Sequence, residues 1–218
     1  MAEKVIIAGT TPSSSLMRCY LEDDGRYEVV AYTVEKAYIG SDMFDGKKVV
    51  ALEELNKLFA ADEYKVLNTI GYRAMNSVRE RIAKMIKFMG FKLLTYVHPT
   101  ASVSSPLGEG CVVLENSSIG FRNHIGEGCM IRSGVVIPHD CKVGNFSYWA
   151  PGAVSCGNVV VGERCFIGAG AVLKNGIKVA DECLIGAGVY LSEDAPEVQS
   201  VFSAPTAVKR KVKSRRIL

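Results

Sequence analysis

Starting at Leu107, an apolar residue returns at every sixth position as far as Leu191, with one exception. The series is Leu107, Val113, Ile119, Ile125, Ile131, Ile137, Val143, Trp149, Ser155, Val161, Ile167, Leu173, Val179, Ile185, Leu191, and no insertion shifts its register. Only Ser155 breaks it. A period of six fits neither an α-helix nor a simple half-buried strand. It is a repeat, and one such unit cannot bury its own apolar face. Each hexad therefore reads as a short strand with a corner, stacked on its neighbours about 4.8 Å apart. Gly follows the apolar residue at Gly108, Gly120, Gly126, Gly144, Gly162, Gly168 and Gly186, which predicts turns of positive φ there. Four positions after the apolar residue comes a small or β-branched one, as at Cys111, Ser117, Cys129, Cys141, Ala153, Cys165 and Cys183.

Ahead of the repeat the pattern alternates. Strands are expected over 4–8, 27–32, 64–68 and 91–97, and helices over 13–22, 52–60 and 73–89. This alternation implies a small parallel, Rossmann-like α/β sheet. Ligands on such sheets sit beyond the carboxyl ends of the strands. That puts Gly9, Thr10 and Thr11 at one mouth and Gly71, Tyr72 and Arg73 at another. The first loop lacks the G-x-G-x-x-G spacing, so a dinucleotide cofactor is not expected. Its hydroxyls and the following helix start could hold a phosphate. They could equally be a capping segment with Ser13 or Ser14 as N-cap.

The chain has 218 residues, 48% of them apolar, and a net charge of +3, too small to argue for nucleic acid. Much of that charge lies in one tail, Lys209, Arg210, Lys211, Lys213, Arg215 and Arg216. It is either a solvated terminus or a place where Lys209 or Arg210 meets a phosphate-bearing cofactor. No signal-peptide run and no stretch of membrane-spanning length occurs, so no membrane partner is expected. Five of the seven Cys share one hexad position and fit no zinc spacing. They read as buried core residues in a reduced, cytoplasmic protein, with no metal.

The repeat resembles the left-handed parallel β-helix of the hexapeptide-repeat acyltransferases. In that fold three hexads make one triangular coil, so residues eighteen apart stack, and fourteen hexads here give four to five coils. Cys111, Cys129, Ser147, Cys165 and Cys183 would form one column. With its N-terminal part the chain resembles the bacterial nucleotide-sugar (amino-sugar) N-acetyltransferases and sialic-acid O-acetyltransferases. The resemblance is carried by His98-Pro99-Thr100-Ala101, by Ile137-Pro138-His139-Asp140-Cys141, by the Gly168-Ala169-Gly170-Ala171 stretch and by Val201-Phe202-Ser203-Ala204-Pro205. Gly71-Tyr72-Arg73-Ala74-Met75-Asn76 with Arg79 is similar to a subgroup that acylates dideoxy amino sugars. The resemblance implies two domains: residues 1–97, an α/β nucleotide-sugar-binding domain, and 98–218, an all-β left-handed β-helix with a closing loop and the basic tail.

Acetylating an amine needs a base, and of three histidines only His139 lies beside an acid in the family's motif. The resemblance implies His139 as the base, Asp140 as its orienter and the amide of Gly157, eighteen residues on, as the oxyanion donor. Ala169, Gly170, Ala187, Gly188 and Lys209 are expected along acetyl-CoA, though the Gly and Ala could be tight turns only. Gly9, Thr10, Thr11, Gly71, Tyr72, Arg73, Asn76 and Tyr148 are expected along the nucleotide-activated amino sugar. Tyr148 stands where some members have a second His. A homotrimer with sites between subunits is implied. Sugar O-acetylation and a non-catalytic β-helix binding protein are the competing readings. A zinc hydratase of the γ-carbonic-anhydrase type would need three converging His, and one of the three here lies outside the repeat.

Overall fold

The computed structural model describes residues 2–205. The chain opens with β1 (Glu3–Ala8), whose Val5, Ile6, Ile7 and Ala8 are buried because strands flank it on both sides. After α1 (Pro12–Asp24) come β2 (Tyr27–Val34), β3 (Met43–Phe44), β4 (Lys47–Ala51), α2 (Leu55–Leu58), β5 (Tyr64–Asn68), α3 (Ser77–Phe88) and β6 (Lys92–Leu93). The strand order is β3-β4-β2-β1-β5-β6, parallel except for the β3–β4 pair at one edge. That edge hairpin was not expected from the sequence, and it makes the sheet mixed.

Three local expectations are corrected. The N-cap of α1 is Thr11, not Ser13 or Ser14. Its hydroxyl accepts from the Ser14 amide while the Ser14 hydroxyl accepts from the Thr11 amide, a reciprocal capping box. The helix expected from residue 73 begins at Ser77, because Ala74, Met75 and Asn76 have φ of 50, 48 and 63°. Consecutive left-handed residues cannot continue a right-handed helix. The strand expected over 91–97 is two strands: β6 extends the α/β sheet, whereas Tyr96–Val97 pairs with Val112–Val113 in the coil stack.

From Tyr96 to Phe202 the chain is a left-handed parallel β-helix with three faces. The first face holds Val136–Ile137, Val154–Ser155, Val172–Leu173 and their neighbours. The second holds His124–Ile125, Lys142–Val143, Val160–Val161 and Lys178–Val179. The third holds Met130–Ile131, Tyr148–Trp149, Phe166–Ile167 and neighbours. Between Leu107 and Leu191 the pairings join residues eighteen apart, as Met130 with Tyr148 and Tyr148 with Phe166, whereas the first and last coils pair at sixteen or seventeen, as Tyr96 with Val112 and Leu184 with Val201. The periodic residues fill the interior, Ser155 included at 1% exposure. Ser155 lies in the same coil as Trp149, the largest fully buried side chain, so a small residue offsets a large one. It does not open toward a ligand.

Outward residues distinguish the faces. On the third they are apolar, and Val112 and Met130 share a core with Val5, Leu21, Val29 and Tyr32 of the α/β layer. On the second they include His124, Lys142 and Lys178, all exposed. On the first they include Val136, Val154 and Val172, half-buried with no layer over them among the described residues, between exposed Ser102 and Ser118 at one end and Tyr190 at the other.

The recurring Gly does not supply positive φ. That conformation belongs to the third position after each apolar residue: Gly110, Asn116, Arg122, Gly128, Gly134, Asp140, Phe146, Gly152, Asn158, Arg164, Gly170, Gly176, Glu182 and Gly188. Gly120 and Gly168 instead lack room. A Cβ on Gly168 would sit 2.5 Å from the Ala187 nitrogen, and one on Gly120 would overlap the Pro138 carbonyl. The column residues also do more than fill space. Cys111, Ser147 and Cys165 donate to the carbonyls of Gly126, Gly162 and Ala180 at 3.0, 2.9 and 3.1 Å. Those are corner groups that would otherwise be left unsatisfied in the interior.

Two glycines separate these effects. Gly120→Ala should cost about 3 kcal/mol through backbone overlap. Gly152→Ala, with φ of 69° and open space around its Cβ position, should cost only about 1 kcal/mol. Urea unfolding of the two variants checks the order; equal losses would contradict it.

Candidate active site

His139 stands at the corner between the first and second faces, in the turn after Val136–Ile137. Two features hold that turn. Asn123, one coil earlier, accepts from the Cys141 amide at 2.8 Å and donates to the Ile137 carbonyl at 3.2 Å, so it clamps both ends. Asp140 adopts φ of 56°, which swings its carboxylate back beside the ring. The Asp140 Oδ2 lies 2.8 Å from His139 Nδ1. A carboxylate there fixes Nδ1 as the protonated nitrogen and leaves Nε2 as the acceptor.

The same carboxylate receives a two-bond fork from Arg122, Nε to Oδ1 and Nη2 to Oδ2, both at 2.7 Å. Arg122 first, and His139 second, hold the Asp140 carboxyl well below the usual carboxylate range. It is therefore ionised at any pH at which an amine can be acylated. Neither Arg122 nor Asn123 was singled out in the sequence. The signal was available, since both lie eighteen residues before a residue of the His139 turn, Asp140 and Cys141.

Gly157 lies beneath the imidazole. A Cβ there would sit 2.5 Å from His139 Cε1 and 2.7 Å from Nε2. Any other residue would push the ring away. Its N–H has no hydrogen-bond partner among the described residues.

Ala169, Gly170, Ala187 and Gly188 lie exposed in successive turns of a different corner, between the third and first faces. One chain thus puts His139 and this small-residue track on opposite edges of the first face. Lys209 falls outside the described residues.

Gly9, Thr10, Thr11, Gly71 and Arg73 come together, lining one cleft of about 570 Å³ in the α/β layer. That volume is in the range of small-molecule sites. Gly9 is required there: at φ 122° its Cβ would lie 2.8 Å from the hydroxyls of Ser14 and Thr69. Thr33, Glu35, Tyr38 and Arg81 also line the cleft and were not anticipated. A two-bond Glu35–Arg81 ion pair ties β2 to α3 there. Tyr72 leaves the cleft to pack edge-on against Tyr148 and Phe166, which stack at 5.3 Å. Burial raises the Tyr148 phenol above its ordinary pKa.

Asn76 is a correction. It is fully buried, its amide donates to the Arg164 and Cys165 carbonyls, and Arg79 donates to its oxygen. With its polar atoms so engaged it joins the start of α3 to the coil stack and does not line the cleft with Gly71 and Arg73. His98 likewise is structural: its Nδ1 accepts from the Thr100 amide at 3.2 Å, and its ring stands edge-on to Tyr20.

Residues 158–193 match the family model described as the hexapeptide repeat of succinyl-transferase. No curated protein matches the sequence. Among solved structures, PerB from Caulobacter crescentus, in complex with CoA and GDP-perosamine, is similar at 27% identity and a TM-score of 0.78, over 91% of this chain and 94% of that one. The acetyltransferase domain of PglB from Neisseria gonorrhoeae, in complex with acetyl coenzyme A, has 23% identity and a TM-score of 0.78, over 89% and 93%. WeeI from Acinetobacter baumannii has 19% identity and a TM-score of 0.76, over 90% and 93%. This is the architecture of a hexapeptide-repeat acetyltransferase. The resemblance read from the sequence is thus met along nearly the whole chain.

Among the described residues no cluster of His, Cys, Asp and Glu could hold a metal ion, and no helix is long and apolar enough to cross a membrane. Nor is an acyl-thiol intermediate favoured on Cys165. Burial pushes the Cys165 thiol up to about 12, where almost no thiolate exists near neutrality. In the folded protein at pH 8 a disulfide reagent should label exposed Cys19 quickly and half-buried Cys156 slowly. The five buried thiols, Cys111, Cys129, Cys141, Cys165 and Cys183, should react only after denaturation. Fast labelling of more than two would contradict this packing.

Proposed function

We propose that this protein transfers the acetyl group of acetyl-CoA to the amine of a nucleotide-linked amino sugar, a 4-amino-4,6-dideoxy sugar in particular. The observation that carries the reading is the His139 ring, oriented by Asp140 and seated over the bare backbone of Gly157. In the reaction the acceptor nitrogen attacks the thioester carbon. His139 Nε2 takes the proton that the nitrogen loses, and Asp140 stabilises the imidazolium so formed. The oxyanion is met by the Gly157 N–H. Collapse expels the CoA thiolate, which recovers the proton from His139. PerB, whose structure holds both CoA and GDP-perosamine, supports this choice of donor and acceptor.

The cleft at Gly9, Thr10, Gly71 and Arg73 is the place for the nucleotide. The α1 N-terminus and the Arg73 guanidinium suit a diphosphate. That cleft belongs to the layer covering the third face, whereas His139 stands on the corner opposite that face. A homotrimer resolves the separation. It buries the apolar first faces, with Val136, Val154 and Val172, between copies. The His139 corner of one copy then meets the Ala169–Ala187 track and the cleft side of the next, where Tyr148 borders the sugar.

Three measurements test the proposal. Purified protein with acetyl-CoA and a panel of UDP-, dTDP- and GDP-linked 4-amino-4,6-dideoxy sugars should release free CoA with at least one of them. The matching 4-hydroxy sugars should give little, and equal rates on those would favour O-acetylation. His139→Ala should lower kcat by about 10²- to 10⁴-fold, and Asp140→Asn by about tenfold or more. Near-normal turnover by His139→Ala would remove its role as base.

A further inference from the structure

Phe121 is 67% exposed, although it sits in a turn that the structure holds firmly. The Gly120 carbonyl before it accepts from Ser105 Oγ and Asn123 Nδ2, and the Phe121 carbonyl accepts from the Asp140 amide at 3.3 Å. Its place in the coil is the second residue after the interior Ile119, and His139 and Gly157 hold that same place one and two coils later. Phe121, His139 and Gly157 therefore form one column, stepped at about 4.8 Å. The column has a direction. His139 leans toward Gly157, whose free N–H marks the side of the thioester carbonyl. Phe121 lies on the other side of the base, one coil before it, and Arg122 beside it is occupied with Asp140. The two carbonyls and the guanidinium fork of that turn are thus engaged, and the exposed side chain it offers a ligand is an aromatic face.

We propose that Phe121 is an acceptor-contacting residue, its ring forming an apolar platform for the carbon face of the amino sugar while the amine reaches His139. Sugars present such faces of C–H groups, and a 6-deoxy sugar adds a methyl where others carry a hydroxyl. Aromatic rings take them by contact rather than by hydrogen bonds. The proposal rests on the acetyl-transfer reading above.

The test compares wild type with Phe121→Ala, Phe121→Leu and Phe121→Trp, using acetyl-CoA and whichever amino sugar of the panel the wild type acetylates fastest. Phe121→Ala should raise the sugar KM about tenfold, with kcat and the acetyl-CoA KM within about twofold of wild type. Phe121→Trp should restore most of the sugar affinity, and Phe121→Leu less. An unchanged sugar KM would overturn the proposal, as would a rise confined to the acetyl-CoA KM. So would loss of the assembled state on size-exclusion chromatography, which would make Phe121 an interface residue. If the wild type turns over no member of the panel, acetyl transfer itself fails and the Phe121 proposal falls with it. A working wild type with an indifferent Phe121→Ala sinks only the latter.

Discussion

Each coil of the β-helix hangs from the next through amide-to-carbonyl bonds such as Ser118 to Val135 and Gly120 to Ile137, at 2.8 and 2.9 Å. This ladder places residues eighteen apart one strand spacing from each other. The candidate site draws on three separate stretches, Arg122–Asn123, His139–Asp140–Cys141 and Gly157. Arg122 reaches Asp140, Asn123 reaches Cys141, and Gly157 underlies His139 because each pair differs by eighteen. The interior must therefore keep strict register, since one residue inserted between Asn123 and His139 would separate the first two pairs, and one between Cys141 and Gly157 the third. Side-chain constancy inside and chemical variety at the corners follow from the same constraint.

The corners explain why the repeat is stricter in its conformation than in its sequence. Every hexad from Leu107 turns through a residue of positive φ, yet that residue is Gly in seven cases and Asn, Arg, Asp, Phe or Glu in the others. A non-Gly residue there costs roughly 1 kcal/mol, and at the site the cost is offset locally. Asp140 and Arg122 both adopt the left-handed conformation, and together they make the fork that carries His139. Gly157 obeys a different rule. Its φ is ordinary, and its missing Cβ serves the histidine ring above it.

The period of six was visible in the sequence because interior packing repeats the same demand in each coil. The eighteen-residue column was visible only through likeness to a known fold, and it placed His139 over Gly157 correctly. What stayed hidden depended on contacts between elements. Asn76 reads as a polar loop residue beside Arg73, but two carbonyls 88 and 89 positions away along the chain, at Arg164 and Cys165, take its amide. Likewise, Tyr96–Val97 reads as the end of a sheet strand, and its pairing with Val112–Val113 follows from where the first coil begins. The recurring Gly was misjudged because local φ and steric room leave the same mark in a sequence.

The three faces carry the argument from fold to function. A prism of coils has three sides to protect, and this chain covers one with its own α/β layer and keeps one charged. The remaining side presents Val136, Val154 and Val172 between two corners. One corner bears His139 and the other the small-residue track. On the proposed reading each edge of that strip carries half of a site, which a single chain leaves incomplete. Packing it against copies of itself would bury the strip and join the half-sites in one step, so that assembly and the composition of the site become one requirement. The buried ties of Asn76 and Arg79 to the coil carbonyls then acquire a purpose. They hold the cleft at a set height on the stack, and only a set height would bring a bound sugar level with the His139 of a neighbouring copy.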